Sequence, residues 1–575
     1  MNQTIYERNI LGLMSTDPHL AAKLRTIQAA PGCRFVLSKT QKTVMTLDTG
    51  SGQRALHSLF DPEKEASRLL ENFPREGFFL FLGFGCAYHI LPCLTQSGVS
   101  QIVILDKDLG ILKAVLGEID LRPLLMDTRV RFLIDTSPRE LAAFMLAHYF
   151  PALAGDFHTV ALRPRVEQEQ DFFRIATQVI RESLEELSAD FSVQSHFGKK
   201  WFLNTLSNLE AAQASSTVLV PQQKAIVTGA GPSLEDGIPA IRAMRKGSLL
   251  VATDTSLPVL LRHDLCPDIV VSIDCQHIGY KHFMAGYPCE IPLVLDLASP
   301  AVMTRLAQKV VFFTSGHPFS QYVNSQWRQF PYIDTSGGNV SHAAVSLADR
   351  LGAGEIFLYG ADFSYPEGKT YARETYVYPY FRCRETRTAG IESLFTHFLF
   401  HNPQTYAVWR GGKVRYTNAT MLRYKEKLEN SAAGLCAHLV PVPGAGEVLT
   451  LGQGSGGRRT QFRAIFAAGT SKGSWKDFLA GYRDSLASLS VPQNPVISHI
   501  QDLPKNEKEL WTTLLPVSAV FVRSSRDTGT AGRTAPSTAS QGDHRAQTEK
   551  PSAPALLEFA RSWTLEAVQR ALERQ

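Results

Sequence analysis

Between residues 225 and 359 the chain alternates short apolar strands with helices, and this repetition constrains the fold more than any other feature. The apolar runs are continuous, which is typical of strands buried on both faces of a parallel sheet. The intervening helices supply the crossovers that parallel strands require. We therefore predict an α/β fold with a central, doubly wound, Rossmann-like parallel sheet. Its strands are predicted at 225–228, 249–253, 268–273, 292–295, 310–313 and 355–359.

The first of these strands, Ala225–Thr228, leads through Gly229 and Gly231 into a helix. The two glycines permit a tight turn, and Ser233 is predicted to cap the helix with Asp236 as its capping-box partner. Such a turn directs free backbone N–H groups and the positive end of the helix dipole at one point, which favours phosphate. A tight connection without a ligand is the alternative, because the motif is neither a Walker loop nor a full Gly-x-Gly-x-x-Gly.

A similar pattern lies nearer the N-terminus. An apolar run at 77–82 turns at Gly83-Phe-Gly85, and a second run at 101–105 ends in Asp106. A glycine turn followed by an acid at the end of the next strand is the outline of a Rossmann-like nucleotide site, in which the acid binds ribose. A Rossmann-like layer with no ligand in its crevice is the alternative. Either interpretation predicts an N-terminal Rossmann-like α/β domain.

Composition excludes several classes of function. The 575 residues are 44% hydrophobic and 20% charged, as expected for a globular protein of two to four domains. A net charge of +5 with interspersed signs predicts no nucleic-acid partner. No apolar run is long enough for a membrane span, and the first residues lack the pattern of a secretion signal. Eight scattered cysteines without a C-x-x-C pair predict neither zinc nor disulfides. We expect a cytoplasmic protein.

Shifts in composition divide the chain into five predicted regions. The largest is the central, predicted catalytic domain, and the fourth is a stretch rich in Ser, Thr, Ala, Gly and Pro that we expect to be disordered. The last region has apolar residues on one helical face, so it is predicted to be an amphipathic helix that packs on its own chain or docks on a partner. The regions are an N-terminal Rossmann-like domain at 1–165, the central domain at 166–435, a helical region at 436–522, a linker at 523–554 and the helix at 555–575.

Polar residues follow the ends of most of the central strands. Ligands of doubly wound sheets bind beyond the carboxyl ends of the strands, so we predict a nucleotide with a phosphate at this edge. The residues concerned are Gly229 to Ser233, Asp254, Asp274, Thr314 to Gly316, Asp334 to Asn339 and Gly360 to Asp362, followed by Tyr365 and Tyr371.

Three segments resemble the bacterial sialyltransferases that use CMP-sialic acid: Ile226–Leu234, Thr335–Gly338 and Gly360–Tyr371. The central block as a whole, including residues 252–256 and 267–274, is still more similar to the motility accessory factor (Maf) proteins, which are flagellin glycosyltransferases. Segments at 57–68 and 198–204 share that similarity, so the resemblance covers roughly residues 50 to 430.

The resemblance implies a glycosyltransferase that moves a nonulosonic acid, such as pseudaminic or legionaminic acid, from its CMP donor to Ser or Thr of flagellin, as flagellar assembly and motility require. It implies that Tyr365 and Tyr371 donate hydrogen bonds to the departing phosphate, which neutral, preorganised donors stabilise. The remaining implied contacts, to the CMP moiety and its cytidine, involve Gly229, Gly231, Pro232, Ser233, Ser336, Gly337 and Gly338.

The sequence departs from the sialyltransferase pattern at three places. Asp254 and Asp274 stand near positions where those enzymes have asparagines and need no metal. Because carboxylates repel a phosphate, a bridging Mg²⁺ or Mn²⁺ is one prediction, and carboxylates that bind ribose or sugar hydroxyls are the alternative. Ser364 is an extra residue before the tyrosine pair. The family's general base has no clean match, and His397 and His401 are the candidates in the corresponding region.

Two other functions remain open from the sequence. The central fold also resembles the archaeal pterin diphosphokinases (MptE-like proteins), in which paired aspartates hold Mg²⁺ and ATP, and Asp254 and Asp274 suit that chemistry. A flagellin-binding accessory protein without catalytic activity is the other alternative. Use of a CMP-nonulosonic acid, use of ATP with a pterin, or flagellin binding with neither activity would distinguish the three.

Overall fold

The computed structural model describes residues 2–48, 52–219, 222–410, 412–452, 466–492, 496–531 and 551–574. The chain divides into two compact units, and each is described by itself below. The first unit comprises residues 1–198 and 487–564, and the second comprises residues 199–486 and 565–575. Within the described residues, none of the helices has both the length and the apolar character needed to cross a bilayer.

The strands are β1 (Cys33–Leu37), β2 (Thr43–Asp48), β3 (Gln53–Ala55), β4 (Glu76–Leu82), β5 (Gly98–Asp106), β6 (Val130–Ile134), β7 (Phe157–Ala161), β8 (Lys224–Thr228), β9 (Leu249–Thr253), β10 (Ile269–Ser272), β11 (Leu293–Asp296), β12 (Val310–Phe313), β13 (Glu355–Tyr359), β14 (Tyr365–Pro366), β15 (Tyr406–Arg410), β16 (Lys413–Thr417) and β17 (His438–Pro441).

The α-helices are α1 (Gln3–Met14), α2 (Pro18–Thr26), α3 (Pro62–Leu70), α4 (Leu91–Leu94), α5 (Leu109–Leu116), α6 (Arg122–Leu125), α7 (Pro138–His148), α8 (Pro151–Ala154), α9 (Arg163–Gln168), α10 (Gln170–Ala214), α11 (Leu234–Met244), α12 (Leu257–Arg262), α13 (Pro318–Gln326), α14 (Val340–Arg350), α15 (Val377–Arg382), α16 (Ile391–Leu399), α17 (Ala419–Ala432), α18 (Trp475–Ser488), α19 (Val496–Asp502), α20 (Lys505–Thr513), α21 (Leu515–Ala531) and α22 (Ala553–Glu573). Two 3-10 helices span His277–Phe283 and Ala301–Arg305.

The first unit contains a parallel sheet in the order β6-β5-β4-β7 and a small antiparallel sheet, β1-β2-β3. Strands β4 and β5 are almost wholly buried because their apolar runs lie between helices on both faces. Residues of α1, α2 and α5 pack with them into one core. The predicted N-terminal Rossmann-like α/β domain is therefore confirmed as a fold.

The second unit is built on a seven-stranded, all-parallel sheet in the order β12-β11-β10-β9-β8-β13-β17. The chain starts at β8, moves outward to β12, and returns to place β13 on the other side of β8. This reversal between β8 and β13 is the topological switch point at which open α/β sheets bind ligands. The prediction of a doubly wound parallel sheet is confirmed, and the observed strand ends differ from the predicted ones by at most one residue.

The C-terminal part is largely helical, as predicted, although β17 pairs with β13 and so joins the central sheet. Residues 532–550 of the predicted linker lie outside the described residues. Of its described parts, 523–531 belong to α21 and 553–554 begin α22. The predicted terminal helix is present as α22, where Leu557, Ala560 and Val568 are fully buried. This burial favours packing on its own chain. The predicted domain boundaries stay predictions.

Candidate functional site

The glycine turn after β8 is held against the turn after β13. Gly229 N–H donates to Tyr359 O (2.8 Å), and Gly231 N–H donates to Gly360 O (2.8 Å). A Cβ atom at Gly229 would lie 2.7 Å from Gly360 O, and one at Gly231 would collide with the carboxylate of Asp362. Glycine is required at both positions because two backbone segments meet without space for a side chain.

Asp362 organises this turn. Its Oδ2 accepts the Ser233 N–H (2.9 Å), and its Oδ1 accepts the Ser233 hydroxyl. Burial raises the pKa of Asp362 above its ordinary value, while the hydrogen bonds from Ser233 and from the Gly446 N–H oppose the rise. The predicted capping box of Ser233 and Asp236 is wrong: Ser233 has helical backbone angles and makes no side-chain cap bond, because its hydroxyl is engaged by Asp362.

The expectation of several free N–H groups at this turn is also wrong. The N–H groups of Gly229, Gly231 and Ser233 are each bonded within the protein, and Pro232 has none. A phosphate would have to displace these bonds, at a net cost of about 0.5–1.5 kcal/mol each. The turn therefore shapes the site, and the polar side chains that could contact a ligand come from neighbouring strand ends.

Two carboxylates lie at the ends of adjacent strands β9 and β10. Asp254 is buried, and its Oδ1 accepts the N–H (2.7 Å) and hydroxyl (3.0 Å) of Thr255. Its Oδ2 accepts the Ser272 hydroxyl (2.7 Å). Asp274 is half-buried, and its Oδ1 accepts the Gln276 N–H (2.8 Å). Each carboxylate is thus oriented by short local hydrogen bonds.

The two carboxylates influence each other. Burial raises the pKa of Asp274 above its ordinary value, and the negative charge of Asp254 raises it further. The Gln276 N–H, His282 and Lys200 oppose the rise. Like charges brought together in a partly buried place are typical of sites where a cation or a polar ligand binds.

The predicted tyrosine pair lies beside this acid pair. Burial raises the pKa of Tyr371 well above its ordinary value, and the neighbouring Tyr376, Tyr365 and Asp254 raise it further. Burial likewise raises the pKa of Tyr376, and Asp274 and Asp254 add to the effect. The phenols are consequently neutral at physiological pH and can donate hydrogen bonds. Tyr371 thus lies within electrostatic reach of Tyr365 and Asp254, and Tyr376 lies within reach of both acids.

Several buried polar atoms in the loops around the tyrosines and the acid pair have no hydrogen-bond partner among the described residues. His282 Nδ1, Asn339 Nδ2, Thr370 Oγ1 and Thr375 Oγ1 are excluded from solvent and have no hydrogen-bond partner among the described residues. The ring of His282 lies 4.5 Å from that of Tyr376. A buried polar atom without a partner costs about 1–3 kcal/mol, and a ligand that bonds to it would recover that cost.

The turn at 335–338 borders the site through Tyr424. A Cβ atom at Gly337 would collide with the imidazole of His342, and one at Gly338 would lie 2.8 Å from the Tyr424 ring. Burial lowers the pKa of His342 to about 4, so its ring is neutral. Ser336 is exposed, and its carbonyl accepts Lys427 Nζ (2.6 Å). Contact of Ser336, Gly337 and Gly338 with cytidine stays a prediction.

The two candidate general bases, His397 and His401, have fewer described contacts with the site than the tyrosines have. His397 lies on α16 and His401 just beyond it, and both are exposed. Helix α16 approaches the site through Phe398, whose ring lies 6.3 Å from that of Tyr371. Neither histidine is among the groups that perturb Tyr371. Their role as general base stays a prediction.

Four further residues of the site were missed from the sequence. Asn418 caps α17 and hydrogen-bonds to Tyr365, opposing the rise in the pKa of Tyr365 that burial causes. The motif Tyr-Thr-Asn-Ala-Thr at 416–420, with asparagine before a helix, is a signal that could have located it. Tyr376, His282 and Tyr424 carry no such local signal, since only the tertiary fold brings them to Tyr371 or Asp274.

Asp254 and Asp274 supply some of the ligands that a cation site needs. In the part of the chain that the structure describes, no group of three or more His, Cys, Asp or Glu side chains could hold a metal ion. The two carboxylates of Asp254 and Asp274 are too few to coordinate a metal ion by themselves. Their oxygens suit Mg²⁺ when a substrate phosphate and water supply the other ligands. The pair fits a cation shared with a ligand, and a metal stays a prediction.

The N-terminal glycine turn, Gly83-Phe-Gly85, differs from the turn after β8 in the partner of its acid. Asp106, predicted to bind ribose, is buried and forms an ion pair with the buried Arg165, with Nη2 2.7 Å from Oδ1. Its Oδ2 accepts the Phe84 N–H (2.8 Å). A Cβ atom at Gly83 would strike Arg165, and one at Gly85 would strike His57. The ribose prediction is therefore wrong, because both oxygens of this carboxylate are engaged by Arg165 and Phe84 inside the protein.

Fold and site together define an α/β protein with polar side chains clustered at the switch point of a parallel sheet. Comparison with known proteins agrees. Residues 200–368 match the family model "6-hydroxymethylpterin diphosphokinase MptE-like". An uncharacterized protein of Treponema pallidum (strain Nichols) is 38% identical over 171 residues, which are 28% of this chain and 80% of that protein. The chain therefore belongs to the same family as that Treponema protein.

Other relatives are matched over a smaller share of their length. A second uncharacterized Treponema pallidum protein is 32% identical over 31% of this chain and 64% of its own. The 6-hydroxymethyl-7,8-dihydropterin pyrophosphokinase of Methanothermobacter thermautotrophicus is 28% identical over 25% of this chain and 59% of its own. The chain thus spans somewhat less than two thirds of these two relatives.

Among solved structures, the Maf glycosyltransferase from Magnetospirillum magneticum AMB-1 is similar over 100% of this chain and 96% of that one. The TM-score is 0.58 and the sequence identity is 14%. At this identity the similarity establishes the fold. The predicted resemblances to Maf proteins and to MptE-like proteins are confirmed, the first at the level of fold and the second by the family model.

Proposed function

We propose that the protein is a cytoplasmic glycosyltransferase that moves a nonulosonic acid of the pseudaminic or legionaminic type from its CMP donor to Ser or Thr of flagellin. The observation that carries the proposal is the meeting of neutral, half-buried tyrosines with an acid pair at the carboxyl edge of the central sheet. The shared fold of a Maf glycosyltransferase over the whole chain supports it. On this proposal the protein is needed for flagellar assembly and motility.

In the proposed reaction the bond between the anomeric carbon of the sugar and the CMP phosphate oxygen breaks. The phosphate oxygen keeps the electron pair, and the hydroxyl oxygen of the acceptor bonds to the same carbon. Tyr365 and Tyr371 donate hydrogen bonds to the phosphate as its charge grows, an arrangement that stabilises the transition state more than the ground state. Their raised pKa values keep these donors protonated.

The proton of the acceptor hydroxyl goes to a general base, for which His397 and His401 are the candidates. An imidazole has a pKa suited to this task near neutral pH. Both side chains are exposed, and a base for a protein acceptor must be reachable from solvent. A His397→Gln or His401→Gln variant that loses transfer and keeps donor binding would identify the base.

The donor pocket is proposed to include Gly229, Gly231, Pro232 and Ser233 together with the turn at 336–338. Asp362 acts as a positioning residue, since its carboxylate fixes Ser233. Asp254 and Asp274 are proposed to hold a Mg²⁺ or Mn²⁺ ion that, when bound, offsets the charge of the donor phosphate. Without such an ion, the two carboxylates would accept hydrogen bonds from ribose or sugar hydroxyls.

The test is a reconstituted reaction. Purified protein is incubated with CMP-pseudaminic or CMP-legionaminic acid and unmodified flagellin, and intact mass spectrometry measures the flagellin. A mass increase of one sugar residue per modified site, with release of CMP, is the expected result. Mass spectrometry of flagellin from a deletion strain checks the same proposal in the cell. If flagellin from that strain carries the same sugars as wild type, the proposal is wrong.

A second candidate function has specific support. The MptE-like match covers residues 200–368, which include both Asp254 and Asp274. A diphosphokinase would transfer diphosphate from ATP to a hydroxymethylpterin, with the acid pair holding Mg²⁺. Formation of AMP from ATP in the presence of 6-hydroxymethyl-7,8-dihydropterin would favour this function. Flagellin binding with neither activity would favour an accessory protein.

A further inference from the structure

A small antiparallel sheet, β14-β16-β15, follows β13 in the second unit and carries Tyr365 of the site. Its two edges differ. At one edge β14 has only two residues, Tyr365–Pro366, and proline is a usual way of protecting an edge from further pairing. At the other edge β15 has five residues without proline, and no described strand pairs with its outer side.

The hydrogen bonds of the sheet show which backbone groups of β15 face outward. Glu367 N–H donates to Val414 O (2.9 Å), so the polar backbone groups of Val414 face β14. Trp409 lies opposite Val414 in the antiparallel register, and it therefore belongs to a pair that does not exchange hydrogen bonds. The N–H and C=O of Trp409 point away from the sheet. By the two-residue alternation of a strand, those of Ala407 do the same.

Strand β15 carries large, exposed aromatic side chains, although no described strand pairs with its outer edge. Trp409 is 72% exposed and Tyr406 is 48% exposed. Exposed edges of this kind pair readily with other chains, and natural proteins usually protect them with charge, proline or a covering segment. The edge combines two outward donor–acceptor pairs with large aromatic side chains, as do the surfaces that bind extended peptides by strand addition.

This edge is continuous with the candidate site. Ala407, Tyr416 and Tyr365 form one row across the sheet, on three successive strands. With strands about 4.8 Å apart, a chain added beside β15 would lie about 14 Å from the Tyr365 backbone. A segment of four or five extended residues, at about 3.3 Å each, spans that distance.

Exposed aromatic residues lie along the same path. The Phe400 ring is 5.5 Å from that of Tyr416, and Phe398 is 6.3 Å from Tyr371. Phe400 is 46% exposed and Phe398 is 38% exposed. A polypeptide that leaves the β15 edge toward Tyr371 would cover these rings. An extended backbone is the chemistry that matches the edge, because it alone repeats donors and acceptors at strand spacing.

We propose that β15 binds the acceptor polypeptide by β-strand addition through the N–H and C=O groups of Ala407 and Trp409, and so delivers a neighbouring Ser or Thr to the site. This inference rests on the proposed function, since it names how that site receives its protein acceptor. It implies that the acceptor is recognised in an extended segment. Modification would therefore precede or require local unfolding of that segment.

The test compares two variants at one position. Ala407→Pro removes one outward N–H and spares the bonds between β15 and β16, whereas Ala407→Val keeps the N–H and suits a strand. Binding of unmodified flagellin is measured by surface plasmon resonance, and hydrolysis of the CMP donor is measured without flagellin. We expect Ala407→Pro to weaken flagellin binding about ten-fold or more, Ala407→Val to bind within about two-fold of wild type, and donor hydrolysis to be unchanged in both.

Equal binding by wild type and Ala407→Pro would overturn the proposal. If Ala407→Pro also loses donor hydrolysis through misfolding, hydrogen exchange of the wild-type protein decides instead. The amides of Ala407 and Trp409 should then exchange more slowly with flagellin present, and unchanged exchange would overturn strand addition. Failure of the proposed function looks different: flagellin would still bind at β15 and protect these amides, but no CMP would be released from either donor.

Discussion

The two glycine turns of this protein share a local pattern and differ in what surrounds them. In the first unit Asp106 forms an ion pair with the buried Arg165. In the second unit Asp254 and Asp274 have only hydroxyl and N–H donors as described hydrogen-bond partners. The first acid has a cationic partner inside the protein, whereas the second pair accepts hydrogen bonds from uncharged groups in its described contacts.

The two turns also differ in the side chains that surround them. In the first unit His57 and Leu162 occupy the position where a Cβ atom at Gly85 would lie. Around the second turn, Thr370 Oγ1 and Thr375 Oγ1 have no hydrogen-bond partner in the part of the chain that the structure describes. A glycine turn followed by an acid therefore indicates a Rossmann-like fold, whereas the residues that fill the crevice decide whether it can bind anything. Four predictions test this contrast.

The largest expected effect is on stability at the first turn. Arg165→Met should lower the free energy of unfolding by about 3–5 kcal/mol, because it leaves Asp106 buried without a counter-charge. Urea denaturation measures the change. Arg163→Met is the control, since Arg163 pairs with Glu167 at the surface and should have a much smaller effect. Equal effects of the two substitutions would show that the first acid is not held by a buried ion pair.

At the second turn the largest effect should be on turnover. Tyr365→Phe and Tyr371→Phe each remove one hydrogen-bond donor and should each lower kcat about ten-fold or more, with little change in donor binding. Tyr287→Phe is the control, because its hydroxyl bonds to Ile291 O, outside the site. If the double variant has wild-type kcat, the tyrosines do not stabilise the leaving phosphate.

The acid pair should affect ligand affinity. Asp254→Asn or Asp274→Asn should weaken nucleotide binding about ten-fold and reduce its dependence on Mg²⁺ at the same time. Calorimetry with and without EDTA measures both. Asp264→Asn is the control, because Asp264 is exposed and has a positive φ of 52° that asparagine tolerates. Binding that EDTA leaves unchanged would rule out the cation and favour contacts with ribose or sugar hydroxyls.

The smallest effect concerns pH. Burial lowers the pKa of His342 to about 4, below its value in the unfolded chain. The unfolded state therefore takes up the proton first, so the stability that the neutral ring contributes is complete above about pH 6.5 and is lost as pH falls toward about 4. His342→Gln should reduce the loss of stability over that range, measured by thermal unfolding.

Much of the fold follows from local sequence. The strands β8 to β13 were predicted within one residue because continuous apolar runs between helices are typical of buried parallel strands. The site was predicted in part: the strand-end acids and the tyrosine spacing were visible in the chain, and a resemblance supplied their roles. Tyr376 and His282 were not predicted, since their place depends on loops that pack from other parts of the chain, whereas Asn418 was missed although the motif at 416–420 indicates a helix cap.

The sequence by itself determined where β8 to β13 form, that they build a parallel sheet and which strand ends carry polar side chains, because hydrophobic periodicity and glycine turns act over a few residues. Only the tertiary structure decided which polar groups are already paired. Asp362 binds Ser233 across 129 residues, and Arg165 binds Asp106 across 59. Such long-range partners depend on how the whole chain packs. They decide whether the polar groups near a glycine turn are already bonded within the protein or are available to a ligand.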